Sequence, residues 1–387
     1  MVQDAFGNSK GLNEIIIPDN IRYICNNAFQ NCDILKIEFT GKTKEIGDYA
    51  FDLCCNLTVI NGLDKIKEIG VGGFSRIGIE ELVVPADIET IRMSGFSGNT
   101  NLKTLHIQGS DTYLSENVFS GCTNLTEVTI PADNFYYVSG GQIPLGFYCP
   151  STFEKCSNIK TITFTKGETG IMRDWGDITV GTDRPETNIT YYCRDSLEKV
   201  IFEDGITYIG AKTCQGCKNL TDISLPSTLE KIGDYAFADN FSLSQLVINN
   251  TNIKQIAENV FMNDAKLIIF GYKGTYPENY CFDKNIIFVP LNKTESSLIL
   301  PKSTTVIREE LFSQCVFNSI KLPDGVTAIE DKAFMDCFNL IQIEIPDSVR
   351  YISENSFIGD NMLVIFCSSG SYAETYAKKN HFVYVTE

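Results

Sequence analysis

The run Leu12-Asn13-Glu14-Ile15-Ile16-Ile17-Pro18, followed by Ile21-Arg22-Tyr23-Ile24 and then by Ala28-Phe29-Gln30-Asn31-Cys32, decides how the rest of the chain is read. Its first block returns as Ile79-Glu80-Glu81-Leu82-Val83-Val84-Pro85, as Leu125-Thr126-Glu127-Val128-Thr129-Ile130-Pro131, and as Leu340-Ile341-Gln342-Ile343-Glu344-Ile345-Pro346. Its later blocks return as Val326-Thr327-Ala328-Ile329 and Ala333-Phe334-Met335-Asp336-Cys337. Units begin at 12, 34, 57, 79, 102, 125, 159, 197, 220, 243, 267, 295, 317, 340 and 363. Apart from long steps at 125–159, 159–197 and 267–295, they are 22 to 24 residues apart. A fixed period of that length marks a stacked array rather than the two or three globular domains that 387 residues would otherwise imply.

Each unit has a physical reading. In Leu-x-x-Ile-x-Ile the apolar residues alternate at period two, the pattern of a short strand with one face buried. A proline such as Pro18, Pro85 or Pro226 then ends the strand, because it has no N–H for a ladder. The Ile-x-x-Ile and Ala-Phe pairs send further apolar side chains into the same interior. One unit buries too little to fold alone, so neighbours must stack into a continuous core. Phe6, Phe29, Phe51, Phe74, Phe96, Phe119 and Phe153 should form one ladder, continued by Phe237, Phe261, Phe312, Phe334 and Phe357, with Tyr191 and Cys214 standing in the same slot. Seven of the fourteen cysteines (Cys32, Cys54, Cys122, Cys156, Cys217, Cys315 and Cys337) share another slot with Asn99, Asn240, Asp264 and Asp360. A position shared by Cys, Asn and Asp at a bend reads as a small side chain bonded to nearby backbone, not as a disulfide or metal framework.

With Leu-x-x-Ile-x-Ile-Pro, the Ile-Gly of Glu45-Ile46-Gly47 and Lys231-Ile232-Gly233, and Ala-Phe-x-x-Cys-x-x-Leu in view, the chain resembles the BspA-type leucine-rich repeats along nearly its whole length. The resemblance implies a mainly β, right-handed curved solenoid with one short strand per repeat and a C-terminal capping unit. It also implies an exported or cell-surface setting and adhesion to host or neighbouring-cell protein, or to glycan. The family carries no catalytic residues to transfer.

Two units read as strand, short helix, strand. One spans 267–289 around Tyr276-Pro277-Glu278-Asn279-Tyr280; the other spans 363–387 around Ser371-Tyr372-Ala373-Glu374 and closes the chain. The expectation is therefore one array over 1–289 and a shorter one over 290–387. Extra residues also fall within 132–196, around Tyr136, Tyr137, Phe147 and Tyr148, and around Arg173, Asp174, the single tryptophan Trp175, and Asp177. Insertions in repeat arrays map to loops, and aromatic-rich loops are favoured binding patches, although the same rings could simply pack the loops down. Asp177-Ile178-Thr179-Val180 between glycines reads as a hairpin arm. On the outward side of the predicted strands, Thr104, His106, Thr129, Thr161 and Thr163 form a threonine-rich middle, which either recognises a ligand or reflects plain strand propensity.

Chemistry is harder to find. Only two histidines exist, His106 and His381, with no nucleophile pattern around either. Cys214-Gln215-Gly216-Cys217 has no second pair with which to complete a zinc site. Gly70-Val71-Gly72-Gly73 does not run from a strand into a helix. The expectation is a non-enzyme without metal or cofactor. A net charge of −17 repels phosphate backbones and excludes nucleic acid as a natural partner. No stretch approaches the roughly 18 apolar residues of a membrane span. Met1 to Phe6 shows no leader and lies partway through a repeat, so the natural beginning is expected to lie upstream, and the missing export signal says little about compartment. Two functions remain: a surface or secreted binding module, or a spacer array with no ligand of its own.

Overall fold

A computed structural model describes residues 4–133, 151–172, 189–248, 250–264, 266–290, 297–300, 302–315, 317–360 and 363–386. They form two compact units. One comprises Met1–Ser244 with Asn252–Lys266, the other Gln245–Thr251 with Leu267–Glu387.

In the first unit the described coils build three ladders. The first is built of strands of three to five residues. Glu14–Ile17, Lys36–Phe39 and Val59–Asn61 pair in parallel, and Glu81–Val84, Thr104–Ile107, Glu127–Pro131, Thr161–Thr165, Lys199–Phe202 and Asp222–Ser224 make a six-stranded parallel sheet. Register follows the repeat: Leu82 pairs with Leu105, Leu105 with Val128, and Val128 with Ile162, all facing the core. The second ladder consists of two-residue strands, Tyr23–Ile24, Glu45–Ile46, Glu68–Ile69, Thr90–Ile91 and Tyr113–Leu114, each placing one isoleucine or leucine inward.

The third ladder follows the Ala-Phe segment and is neither helix nor sheet. The N–H groups of Asn27, Phe29 and Asn31 donate to the carbonyls of Asp48, Ala50 and Asp52 in the next coil, at 2.9, 2.8 and 2.8 Å. The alternate N–H groups turn back within the coil, Ala28 to Cys25 and Gln30 to Asn27. This arrangement needs left-handed backbone two residues either side of the ring, at Asn27 (φ 56°) and Asn31 (φ 55°). The next coil uses Tyr49 (φ 55°) and Leu53 (φ 62°), bulky residues for which that region is disfavoured and which inter-coil bonds hold in place. In these two coils each N–H so oriented finds a carbonyl, which a buried wall requires.

The core shows the expected ladders. Rings stack from Phe6 through Phe29, Phe51, Phe74, Phe96 and Phe119 to Phe153 at 5.0 to 6.0 Å. One expectation is corrected. Tyr191 does not occupy the ring slot, because Ile189–Cys193 coil into one helical turn that buries Ile189, Thr190 and Cys193 instead. Tyr191 lies half-buried, edge-on to Tyr192, with the Arg194 guanidinium 4.2 Å over its ring. Cys193, Cys214 and Cys217 fill the interior there, and the ring stack resumes at Phe237 and Phe261.

In the shared Cys/Asn/Asp slot, the cysteines and Asn99 bond to nearby backbone. Thiols of Cys54, Cys156 and Cys337 donate to the carbonyls of Phe29, Phe119 and Phe312 at 3.1, 3.1 and 2.7 Å. Asn99 makes the same bond to Phe74 and accepts from the Ile77 N–H. The described cysteines are all free thiols.

In the second unit, Gln245–Ile248, Ile268–Gly271 and Ile287–Pro290 form one parallel sheet. Ser297–Ile299, Ser319–Lys321, Gln342–Glu344, Val364–Cys367 and Val383–Thr386 form another. Helices Tyr276–Lys284 and Tyr372–Lys379 lie between the last two strands of each sheet, as the sequence predicts. In the second helix Ser371 caps the N-terminus by accepting from the Glu374 N–H, while Glu374 accepts from Gly370 in return.

Candidate binding face

The six-stranded sheet positions the threonine-rich residues, because period two sends alternate side chains outward while Leu105, Val128, Ile162 and Val200 anchor the strands in the core. Two outward rows result. One runs Glu81, Thr104, Glu127, Thr161, Lys199, Asp222; the other runs Val83, His106, Thr129, Thr163, Ile201, Ser224. His106, Thr129 and Thr163 are thus direct neighbours on successive strands, and Thr104 and Thr161 flank Glu127. All five are half-exposed. With strands about 4.8 Å apart, the five gaps make a face about 24 Å across.

Charge frames this face. Beside the rows, Lys103 pairs with Glu80 at 2.7 Å and Lys160 with Glu198 at 2.9 Å, while Lys199 pairs with Asp222 within the first row at 2.6 Å. The hydroxyl-rich middle lies between them. Such an array can offer many weak donors and acceptors to a broad ligand, but it has no buried nucleophile or base. Among the described residues no group of three or more His, Cys, Asp or Glu could hold a metal ion. Two open concavities lie elsewhere: about 510 Å³ beside Arg350 and Tyr372, and about 480 Å³ beside Tyr208 and Lys231.

Tyr136, Tyr137, Phe147, Tyr148, Arg173, Asp174, Trp175 and Asp177, with the proposed hairpin arm, lie outside the described residues. What is described is where the inserted segments leave and rejoin. The first leaves after Asp133, just beyond the end of strand Glu127–Pro131, and rejoins at Ser151. The second leaves after Met172, next to Ile171, which bridges Tyr208 on the short-strand wall, and rejoins at Ile189. The two rejoining points are tied together: the Ser151 N–H donates to the Tyr192 hydroxyl at 2.7 Å. Tyr192, with Tyr191 and Arg194 beside it, thus stands where both inserted segments rejoin the coils, a position the sequence reading missed by placing Tyr191 in the core. The available signal was spacing, four residues from Cys193 to Leu197 where Cys156 to Ile159 needs three.

Parallel coils, in-register ladders and apolar stacking place the molecule among the leucine-rich-repeat solenoids. The model of the BspA-type leucine-rich repeat region matches residues 2–103, 23–140, 187–289 and 288–383, and the chain belongs to that family. No curated relative matches it by sequence. Among solved structures it is similar to a leucine-rich repeat protein from Bacteroides ovatus, at 20% identity over 100% of this chain and 87% of that one, with a TM-score of 0.32. It is also similar to the pneumococcal vaccine antigen PcpA (16% identity, 97% and 89%, TM-score 0.29). A third is a leucine-rich cell surface protein from Faecalibacterium prausnitzii (18% identity, 94% and 81%, TM-score 0.24). No helix among the described residues is long and apolar enough to cross a membrane.

Proposed function

We propose that this chain is a non-catalytic binding module, displayed on a cell surface or secreted, that recognises a protein or glycan of a host or neighbouring cell through its strand face and inserted segments. The observation that carries this reading is the pair of outward rows in unbroken register across six strands, with His106, Thr129 and Thr163 adjacent at the centre of one row and Thr104 and Thr161 flanking Glu127 in the other. A broad centre of hydroxyls around one carboxylate, Glu127, with ion pairs at its margin suits an extended macromolecular ligand better than a small substrate, which would need an enclosed pocket. Membership of a family that includes surface proteins and the acidity of the chain point the same way.

The test is a binding screen of the full chain against purified matrix proteins and a glycan array, repeated with Thr129→Arg/Thr163→Arg and with residues 173–188 removed. Loss of the captured partner in the first variant, with unchanged melting, supports the strand face. A partner retained by both variants removes these surfaces from the reading, and no partner at all favours a spacer.

A further inference from the structure

The slot shared by Cys, Asn and Asp is continuous from coil to coil. Its side chain accepts from the N–H of the slot residue one coil earlier: Asn240 from Cys217, Asp264 from Asn240, and Cys337 Sγ from Cys315, the last at 3.2 Å. Consecutive slot residues therefore stand side by side, and where both are cysteine two thiols meet. Paired coils lie about 4.8 Å apart, inside the roughly 4.4–6.8 Å between Cα atoms that a disulfide spans.

Three such pairs are described: Cys32 with Cys54, Cys122 with Cys156, and Cys315 with Cys337. Access and contact separate them. In the second and third pairs the two thiols are hydrogen-bonded to each other. That bond, with burial adding to it, holds Cys156 and Cys315 far above the ordinary thiol value. Of the six cysteines only Cys315 is half-exposed; the other five are buried. Behind Cys315, the Cys337 sulfur is fixed by two main-chain bonds, donating to the Phe312 carbonyl at 2.7 Å and accepting from the Cys315 N–H. One reachable sulfur thus lies against one buried, oriented sulfur.

We propose that Cys315 and Cys337 are an oxidisable pair that closes a disulfide between neighbouring coils, with a small-molecule disulfide as the oxidant. Cys315 loses its proton, and its thiolate attacks one sulfur of the reagent. The reagent's S–S bond breaks, one reagent thiolate leaves and takes up a proton, and a mixed disulfide remains on Cys315. Cys337 then gives up its proton to solvent, attacks Cys315 Sγ and displaces the second reagent thiolate. Two protein thiols are oxidised, and one reagent disulfide is reduced to two thiols. The new bond ties the coil of strand Ser297–Ile299 to that of Ser319–Lys321, in the oxidising surroundings where disulfides persist. Because the Cys315 thiol is held high, the first attack is slow at neutral pH and quickens as pH rises. The Cys122–Cys156 pair has the same contact without a reachable sulfur. Cys55 has the reverse, since it is exposed while its neighbour Cys54 donates inward to Phe29. The pair lies in a different unit from the threonine-rich face, and either reading can fail without the other.

The experiment incubates the folded full chain with oxidised glutathione between pH 7.5 and 8.5, blocks the remaining thiols with maleimide under denaturing conditions, and maps peptides without reduction. The expected result is a cross-link between peptides 309–321 and 333–350, a glutathione adduct on Cys55, and free thiols at Cys122 and Cys156. The cross-link should form about tenfold faster per pH unit, as the thiolate fraction of Cys315 does. Cys337→Ser should stop at a glutathione adduct on Cys315. Three outcomes would overturn the proposal: a wild-type adduct on Cys315 that persists beside a free Cys337, a Cys315 that stays a thiol after Cys55 has fully reacted, or Cys122 and Cys156 linking as fast as the proposed pair.

Discussion

In most coils one buried position lies beside the ring stack next to a main-chain carbonyl. Cysteine and asparagine donate to it, but Asp264 and Asp360 fill the same slot with carboxylates. The Asn240 N–H reaches Asp264 Oδ1, while its other oxygen, and both oxygens of Asp360, are buried without a partner. Burial pushes both carboxyls up to about 7, with Asp239 and Asp336 adding to the rise and the Asn240 amide opposing it at Asp264. Because the folded value lies above the ordinary 3.8, the stabilisation is complete below that value, is lost as pH climbs from about 4 to about 7, and changes little beyond. Asp264→Asn and Asp360→Asn should flatten that slope in urea titrations and gain roughly 1–3 kcal/mol at pH 8, since an amide can donate where an ionised carboxylate cannot. A variant that keeps the slope would show that the acids titrate unperturbed. The thiols in this slot yield a second expectation. Cys54 and Cys217 are buried and pushed up to about 12 by burial, whereas Cys55 is exposed. Brief maleimide treatment of the native chain should therefore modify Cys55 and spare Cys54 and Cys217, read by peptide mass spectrometry.

At the scale of elements, the strands and both strand–helix–strand units are legible because apolar alternation and repeat spacing state the same thing twice. Leu82, Leu105, Val128 and Ile162 fall in register because their units are in register. For the same reason the outward threonines fall into rows. The third ladder is not legible. Its left-handed positions hold Asn27, Tyr49, Leu53, Arg76 and Lys212, a set with no common side-chain chemistry, since bonds from neighbouring coils impose the conformation. Tyr191 was misread because the ladder slot was extended through a unit whose extra residue permits a helical turn. The inserted segments lack the period of the repeat, so their aromatics could be named but not placed. The cap helix is the element most open to a direct test. Ser371→Ala removes the side chain that accepts from Glu374 and should cost about 1 kcal/mol, visible as earlier exchange of the Tyr372–Lys379 amides. Equal exchange in both proteins would mean that the packing of Ala373, Tyr376 and Ala377 alone holds the helix.

Across a whole unit, stability in such an array is a sum of coil energies and nearest-neighbour interfaces rather than the property of one core. Phe74 makes that quantitative. It is fully buried and stacked between Phe51 at 5.0 Å and Phe96 at 5.5 Å, so Phe74→Ala opens a cavity that two neighbours border and that a stiff ladder cannot collapse around. The expected loss is about 3–5 kcal/mol. It should be local: native-state hydrogen exchange should quicken in strands Lys36–Phe39, Val59–Asn61, Glu81–Val84 and Thr104–Ile107, while Lys199–Phe202 and Asp222–Ser224 keep their wild-type protection. The contact pattern requires this, because the described strands pair only with their immediate neighbours and a weakened interface has no direct route to distant coils. Uniform acceleration across all these strands would show that the unit opens as a single cooperative body. The face of His106, Thr129 and Thr163 would then owe its rigidity to the unit as a whole, and not to the coils beneath it.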